Sequence, residues 1–279
     1  MAEITAAAVG KLREMTNAGL MQCKQALTEA NGDLDKAVDI LRKKGIATAG
    51  SKGGREAKDG LIVQHILPGS RIGVLVEINC ETDFVARNET FRAFCDEAAR
   101  KLALDPKVDL EADRVAQVAK IGENIKISRS ERLEVSGNGL ISAYIHTGGK
   151  VGVLVEVGAG KESTVASDEF KQLVRDITLQ IAAAHPYVVS REQIDTAVIA
   201  KEKEIAAEQV KNKPPQAIAK IVEGKLEKFY QTHCLVDQGF VKRNSEVSVK
   251  EHVASIAKQL GDEIAVRRFV RFQVGESTS

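Results

Sequence analysis

One stretch of this sequence occurs twice. Arg71-Ile72-Gly73-Val74-Leu75-Val76-Glu77 returns as Lys150-Val151-Gly152-Val153-Leu154-Val155-Glu156, an offset of 79 from Ile72 to Val151. A second stretch, Ile121-Gly122-Glu123-Asn124-Ile125-Lys126-Ile127-Ser128-Arg129, returns as Leu260-Gly261-Asp262-Glu263-Ile264-Ala265-Val266-Arg267-Arg268, an offset of 139 from Ile121 to Leu260. A chain that repeats its apolar pattern in this way folds as two copies of one unit. The second offset exceeds the first by 60 (139 less 79), so the second copy carries an insertion of about that length.

Each copy opens with a strand pair. Leu61 to Ile66 joins Arg71 to Ile78 through Leu67-Pro68-Gly69-Ser70, and Ile141 to His146 joins Lys150 to Val157 through Thr147-Gly148-Gly149. Short apolar runs around Gly/Pro turns are hairpin signals. Helical spacing follows in each copy, at Phe91, Phe94, Ala98 and Leu102 and at Phe170, Val174, Ile177 and Ile181. A further helix then leads to a closing strand near Ile125 to Leu133 or Ile264 to Val274. Strands and helices are segregated as ββααβ, so the class is α+β, with antiparallel strand pairs covered on one face by helices. The insertion reads as a helical hairpin at about 190–231. Ile194, Val198 and Ile205 mark the outgoing helix, Asn212-Lys213-Pro214-Pro215 the turn, and Ile218, Val222 and Phe229 the return.

Before the repeats, residues 1–45 read as a three-helix unit. Val9, Leu12 and Met15 share one helix face, Ala26 and Leu27 lie on a second helix, and Leu34, Val38 and Leu41 on a third, with Thr16-Asn17-Ala18-Gly19 and Asn31-Gly32-Asp33 as breaks. Glycines at 45, 50, 53, 54 and 60 then suggest a flexible linker over 46–59, with core subdomains at 60–138 and 139–279. Ser51-Lys52-Gly53-Gly54 lacks the spacing of a phosphate-binding loop and follows no strand.

Charge narrows the partner class. Forty Lys and Arg against 39 Asp and Glu leave a net charge of +1, without the basic surplus that phosphate-driven binding to nucleic acid or an anionic membrane needs. No apolar run approaches the ~20 residues of a membrane span, and the N-terminus, with an early Glu3 and no basic segment followed by an apolar run, does not read as a secretory signal. Cys23, Cys80, Cys95 and Cys234 show neither metal-ligand nor disulfide-framework spacing, the pattern of reduced thiols in a cytoplasmic protein with no metal or cofactor.

One loop breaks the symmetry of the copies. Asn79-Cys80-Glu81-Thr82-Asp83-Phe84-Val85-Ala86-Arg87-Asn88 follows the second strand of the first copy, whereas Gly158-Ala159-Gly160-Lys161-Glu162-Ser163 in the second contains no aromatic. Two readings stand. Asp83 can cap the next helix with Phe84 stapled over its first turn, or Phe84 can be an apolar anchor for a partner, with Asp83 as a placed carboxylate.

These features together resemble bacterial elongation factor Ts. The carriers are Leu12-Arg13-Glu14-Met15-Thr16-Asn17-Ala18-Gly19-Leu20-Met21-Gln22-Cys23-Lys24-Gln25-Ala26-Leu27, the break at Asn31-Gly32-Asp33, the loop Thr82-Asp83-Phe84-Val85, the duplicated strand motif and the hairpin, in order over residues 2 to about 276. The resemblance implies a guanine nucleotide exchange factor for elongation factor Tu, with no covalent chemistry. It implies that Thr82, Asp83, Phe84 and Val85 enter the GTPase beside its magnesium site and dislodge the ion, and that His146 presses near its phosphate-binding loop. Leu12, Arg13, Leu20 and Met21 match the family's docking contacts. Asn17 and Met15 depart from the usual glycine and arginine, and the turn after His146 is one residue longer than usual. The sequence stops at Ser279, where some members continue into a further helix, so affinity is expected from the N-terminal unit and the core. A dimer of this chain, and a 1:1 or a 2:2 complex with the partner, are all compatible with that reading.

Two other classes compete. A thiol hydrolase could use Cys80 with His65 or His146 as base, although no spacing brings them into reach. A passive adaptor, built on a three-helix unit that resembles ubiquitin-associated modules, would bind a partner without exchange. It leaves the loop asymmetry unexplained.

Overall fold

The computed structural model describes residues 4–16 and 18–276, and every structural statement below concerns these residues. The N-terminal unit comprises α1 (Ala6–Thr16), α2 (Leu20–Glu29) and α3 (Leu34–Lys52). The first copy follows as β1 (Asp59–Ile66), β2 (Ile72–Cys80), α4 (Asp83–Arg87), α5 (Glu89–Leu104), α6 (Glu111–Ile121) and β3 (Lys126–Glu134). The second is β4 (Gly139–Ile145), β5 (Val151–Ala159), α7 (Glu162–Ala166), α8 (Asp168–Ala184), α9 (Thr196–Glu208), α10 (Pro215–His233), α11 (Val249–Leu260) and β6 (Ile264–Gln273). Both halves therefore follow the expected α+β order, with α9 and α10 as the insertion.

Each half forms a three-stranded antiparallel sheet, β1-β2-β3 or β4-β5-β6. One face of each carries its helices. Phe91, Cys95, Ala98 and Leu102 of α5 pack on Val74, Val76 and Ile78, and Phe170, Val174, Ile177 and Ile181 of α8 pack on Val153, Val155 and Val157. The opposite faces meet each other through Ile62, Leu75, Leu133, Ile141, Leu154 and Phe272. With both faces covered, the central strands β2 and β5 are buried along almost their whole length, which explains why the repeated motif is apolar at consecutive positions.

The contacts between the halves are reciprocal. Ile62 N donates to Gly149 O and Ile141 N donates to Ser70 O, both at 2.7 Å. Arg129 Nη2 donates to Gln273 O at 3.0 Å, and its repeat counterpart Arg268 donates to Glu134 O at 2.8 Å. The repeated glutamates are buried at the same junction. Glu77 accepts from Arg129 Nε at 2.7 Å and Gly275 N at 3.0 Å; Glu156 accepts from Arg268 Nε at 2.7 Å and Ser136 N at 3.4 Å. The last residue of the motif Val-Leu-Val-Glu is thus an acid because each sheet must anchor an arginine of its own third strand and a backbone N–H of the junction.

Two expectations need correction. The third helix does not close at Lys44-Gly45 but runs to Lys52, so 46–52 are helical and the irregular connection shortens to 53–58. The reason is tertiary. Ala49 is buried in the first core, and Gly45 lies against α6, where an added Cβ would sit 3.4 Å from Ala119. Packing there outweighs the low helix propensity of Gly45 and Gly50. The outgoing helix of the insertion begins at Thr196, so Ile194 precedes it, because Asp195 caps it by accepting from Ala197 N at 2.7 Å. The return helix α10 has no fully buried residue, so the pair is an arm about 28 Å long. Arg191 braces its base, bonded to Glu227 and Asp237 and lying 4.4 Å over the Tyr230 ring.

Candidate functional site

The loop after β2 is clamped from behind. A carboxylate 41 positions away, Glu123, accepts from Glu81 N and Thr82 N at 3.1 Å each, and from the Thr82 hydroxyl at 2.7 Å. In return Glu81 Oε1 accepts from Asn124 N at 2.6 Å. Thr82 also caps α4, its Oγ1 accepting from Val85 N at 3.4 Å. These bonds hold one short turn of helix in a single pose, with Val85 and Ala86 directed into the first core and Phe84 directed away from it. Phe84 is 80% exposed, the highest value among the large apolar side chains of the described residues. It is therefore not a staple over its own helix.

Asp83 is paired with Arg87 at 2.9 Å, with both side chains in solvent. A pair this open contributes little to stability and is readily exchanged for another partner. The counterpart of α4 in the second half is α7, also five residues long, and the clamp recurs there: Asp262 accepts from Lys161 N at 2.9 Å. Residue by residue, Ser163 stands where Phe84 does, 79 positions on. One scaffold thus presents a hydroxyl on one side and a benzyl group on the other.

His146 is exposed at the end of β4, its Nδ1 3.0 Å from the Tyr144 hydroxyl. Its counterpart 79 positions earlier is Leu67, which packs against the first core. The turn therefore offers an imidazole to solvent where its twin holds an aliphatic group inward.

On the N-terminal unit, Leu20 and Met21 of α2 are 53% and 66% exposed, and Arg13 of α1 is exposed as well. Leu12 does not join them. It is fully buried among Val9, Cys23, Ala26 and Leu27, so it offers no surface and holds α1 in place. Met15, also exposed, takes the outward place on α1. Asn17 lies outside the described residues.

Glu123 was not foreseen as a site residue, yet a signal existed: the second repeat keeps an acid after glycine, Gly122-Glu123 and Gly261-Asp262. Cys80 offers no nucleophile. It is fully buried, its thiol donates to Thr82 O at 3.2 Å, and burial pushes its pKa up to about 12. No group of three or more His, Cys, Asp or Glu among the described residues is placed to hold a metal ion, and no helix among them is long and apolar enough to cross a membrane.

Fold and loop together define a duplicated α+β protein in which the turn after the second strand of the first half carries an outward-pointing aromatic that the second half lacks. The family described as "Elongation factor TS" matches over residues 81–276. Elongation factor Ts of Symbiobacterium thermophilum is 46% identical over 99% of this chain and 93% of its own length. The Clostridium kluyveri and Lawsonia intracellularis proteins of that name are each 40% identical over 98% of the chain, covering 93% and 99% of their lengths. The chain belongs to the elongation factor Ts family, the translation elongation factors of that name.

Proposed function

We propose that this chain binds the GDP form of elongation factor Tu, disturbs the magnesium and phosphate site, and so promotes GDP release and exchange for GTP, by contact alone. The observation that carries the reading is Phe84, held 80% exposed at the tip of a turn clamped by Glu123. A solvent-directed ring on a fixed backbone is set to enter another protein. Burying it there contributes ~2 kcal/mol, which converts to about 30-fold in affinity.

Affinity alone would exchange nothing, because a ligand equally attached to two states shifts neither. The intruding group must oppose the nucleotide-bound geometry, and the factor by which the protein weakens GDP is then the factor by which GDP weakens the protein. Asp83 fits that requirement. Swung from Arg87, a carboxylate beside a magnesium ion competes for the cation and repels the phosphates. Docking through Arg13, Leu20 and Met21 supplies state-independent affinity, and His146 supplies a second point of contact.

The test is fluorescent GDP release from purified elongation factor Tu. Wild-type protein accelerates it, and Asp83→Ala combined with Phe84→Ala lowers the acceleration at least about tenfold, with unchanged circular dichroism. A double variant as active as wild type overturns the wedge. Binding by the wild type without any acceleration leaves a passive adaptor instead.

A further inference from the structure

The two proposed contact points, the Phe84 turn and the His146 turn, belong to different copies of the fold. Rigid engagement at both requires their separation to be fixed, and one ion pair joins them. Lys150, which ends the His146 turn, reaches across the junction to the carboxylate of Asp59 and donates to Gly60 O at 2.8 Å. Asp59 opens β1 and lies in register opposite Cys80, the last residue before the Glu81-Thr82 clamp. Asn79 Nδ2 also donates to Asp59 O at 3.0 Å.

The same turn is tied down beside this pair. Gly149 O accepts from Ile62 N at 2.7 Å, and Gly149 adopts φ +71° with a missing Cβ that would stand 2.7 Å from Leu61. The charge reaches further still. Burial raises the carboxyl pKa of Asp59, but the bonds from Lys150 and Gly60 N–H and the charges of Lys150 and Arg87 outweigh it and hold the group below its ordinary value. Arg87 is the partner of Asp83, so the acid at the strut and the acid at the wedge share one cation's field.

The pseudo-symmetric position supplies a control. There Arg71 stands for Lys150 and Asn138 for Asp59, each 79 positions away. Arg71 donates to two carbonyls, Val135 O at 3.1 Å and Gly137 O at 2.9 Å, and Asn138 is turned to Gly160 O at 2.9 Å. Carbonyl contacts thus suffice to join the halves. The charged pair occurs on the side where the wedge and the histidine are, and not on the side whose turns carry Ser163 and Leu67.

We infer that Lys150 and Asp59 are positioning residues, an ion-pair strut that sets the His146 turn against the Phe84 turn so that both meet the GTPase together. This rests on the reading of those two turns as contact points. Loss of the strut leaves the docking surface on the N-terminal unit intact and loosens only the presentation of the two tips. Its signature is therefore a lower maximal exchange rate at nearly unchanged half-saturation, the pattern of an interaction felt in the activated complex.

The test measures GDP release from elongation factor Tu over a range of concentrations of full-length wild type, Asp59→Asn, Lys150→Ala, Lys150→Arg and Phe84→Ala. The maximal rate falls about threefold to tenfold in Asp59→Asn and Lys150→Ala, half-saturation moves less than about twofold, and Lys150→Arg, which keeps the cation, restores the rate. A structural readout accompanies it. Spin labels at Thr147→Cys and Glu89→Cys, both exposed beside the two turns, report a narrow distance distribution that broadens in Lys150→Ala. Wild-type rates in both neutral variants with a normal Phe84→Ala defect overturn the strut and spare the wedge, as does a rise in half-saturation alone. An inert Phe84→Ala overturns both readings.

Discussion

Phe84 and Ser163 occupy equivalent places in two copies of one fold, each the second residue of a five-residue helix and each outside its core. Duplication supplies the comparison that a single site lacks: where the backbone is shared, the difference in side chain is not a packing requirement. Replacing Phe84 with Ser, the residue its twin tolerates, is therefore expected to leave thermal stability within about 0.5 kcal/mol of wild type while GDP release slows. Phe91, seven residues on and fully buried, sets the contrast, since Phe91→Ala is expected to cost ~3 to 5 kcal/mol. Chemical denaturation of both variants checks the pair of values, and a destabilised Phe84→Ser would return the ring to the core.

Leu12 and Met21 separate packing from docking on the N-terminal unit. Leu12→Ala opens a cavity in a core of few residues and is expected to cost ~2 to 5 kcal/mol, enough to unfold a unit this small. Met21→Ala removes an exposed side chain, leaves the melt unchanged, and weakens binding to elongation factor Tu about fivefold to tenfold. Calorimetric titration beside thermal melts distinguishes them. A Met21→Ala variant with unchanged affinity removes that residue from the contact set.

How far these roles were legible in the sequence depends on the range of the interaction that fixes them. The duplication, the ββααβ order and the loop asymmetry are local patterns, and they were readable. Helical spacing set Leu12 on one face with Val9 and Met15 while the resemblance placed it among the docking contacts, and only the packing of α2 against that face decides between the two. Glycines at 45 and 50 suggested a flexible linker because the packing partner of Gly45, Ala119, lies some seventy residues away. That Phe84 is no staple over its own helix is visible only in the turn that Glu123, also remote in sequence, clamps. Each miss involves a contact between elements that no periodicity encodes.

Gly152 and Gly73 test the face-to-face packing of the sheets. A Cβ on Gly152 would stand 2.4 Å from Ile62 Cγ2 and 2.9 Å from Ile145 Cδ1, and one on Gly73 would stand 2.8 Å from Ile141 Cγ2. Alanine at either place forces the sheets apart and is expected to destabilise by ~1 to 3 kcal/mol, with Gly152→Ala the worse because its contact is closer. Urea denaturation measures both. Equal stabilities to wild type would mean that the sheets do not approach as closely as the reciprocal bonds at Ile62 and Ile141 require.

Glu156 makes the junction sensitive to acid. Burial raises its carboxyl pKa, but the bonds from Arg268, Arg267 and Ser136 N–H outweigh burial and hold it below the ordinary glutamate value of 4.5. A carboxyl held lower in the folded than in the unfolded chain binds fewer protons when folded, so its stabilisation is present above 4.5 and is lost as pH falls through the folded value. Glu156→Gln abolishes that titration and leaves Arg267 and Arg268 without their carboxylate. At pH 7 the variant is expected to be less stable by ~3 kcal/mol, and its stability is expected to fall less steeply than that of the wild type as the pH is lowered below about 4.5. Unfolding free energies across that range provide the measurement. Parallel acid limbs for the two proteins would mean that Glu156 does not carry the acid sensitivity, and would move it to other paired carboxylates such as Asp59, whose group is likewise held below its ordinary value.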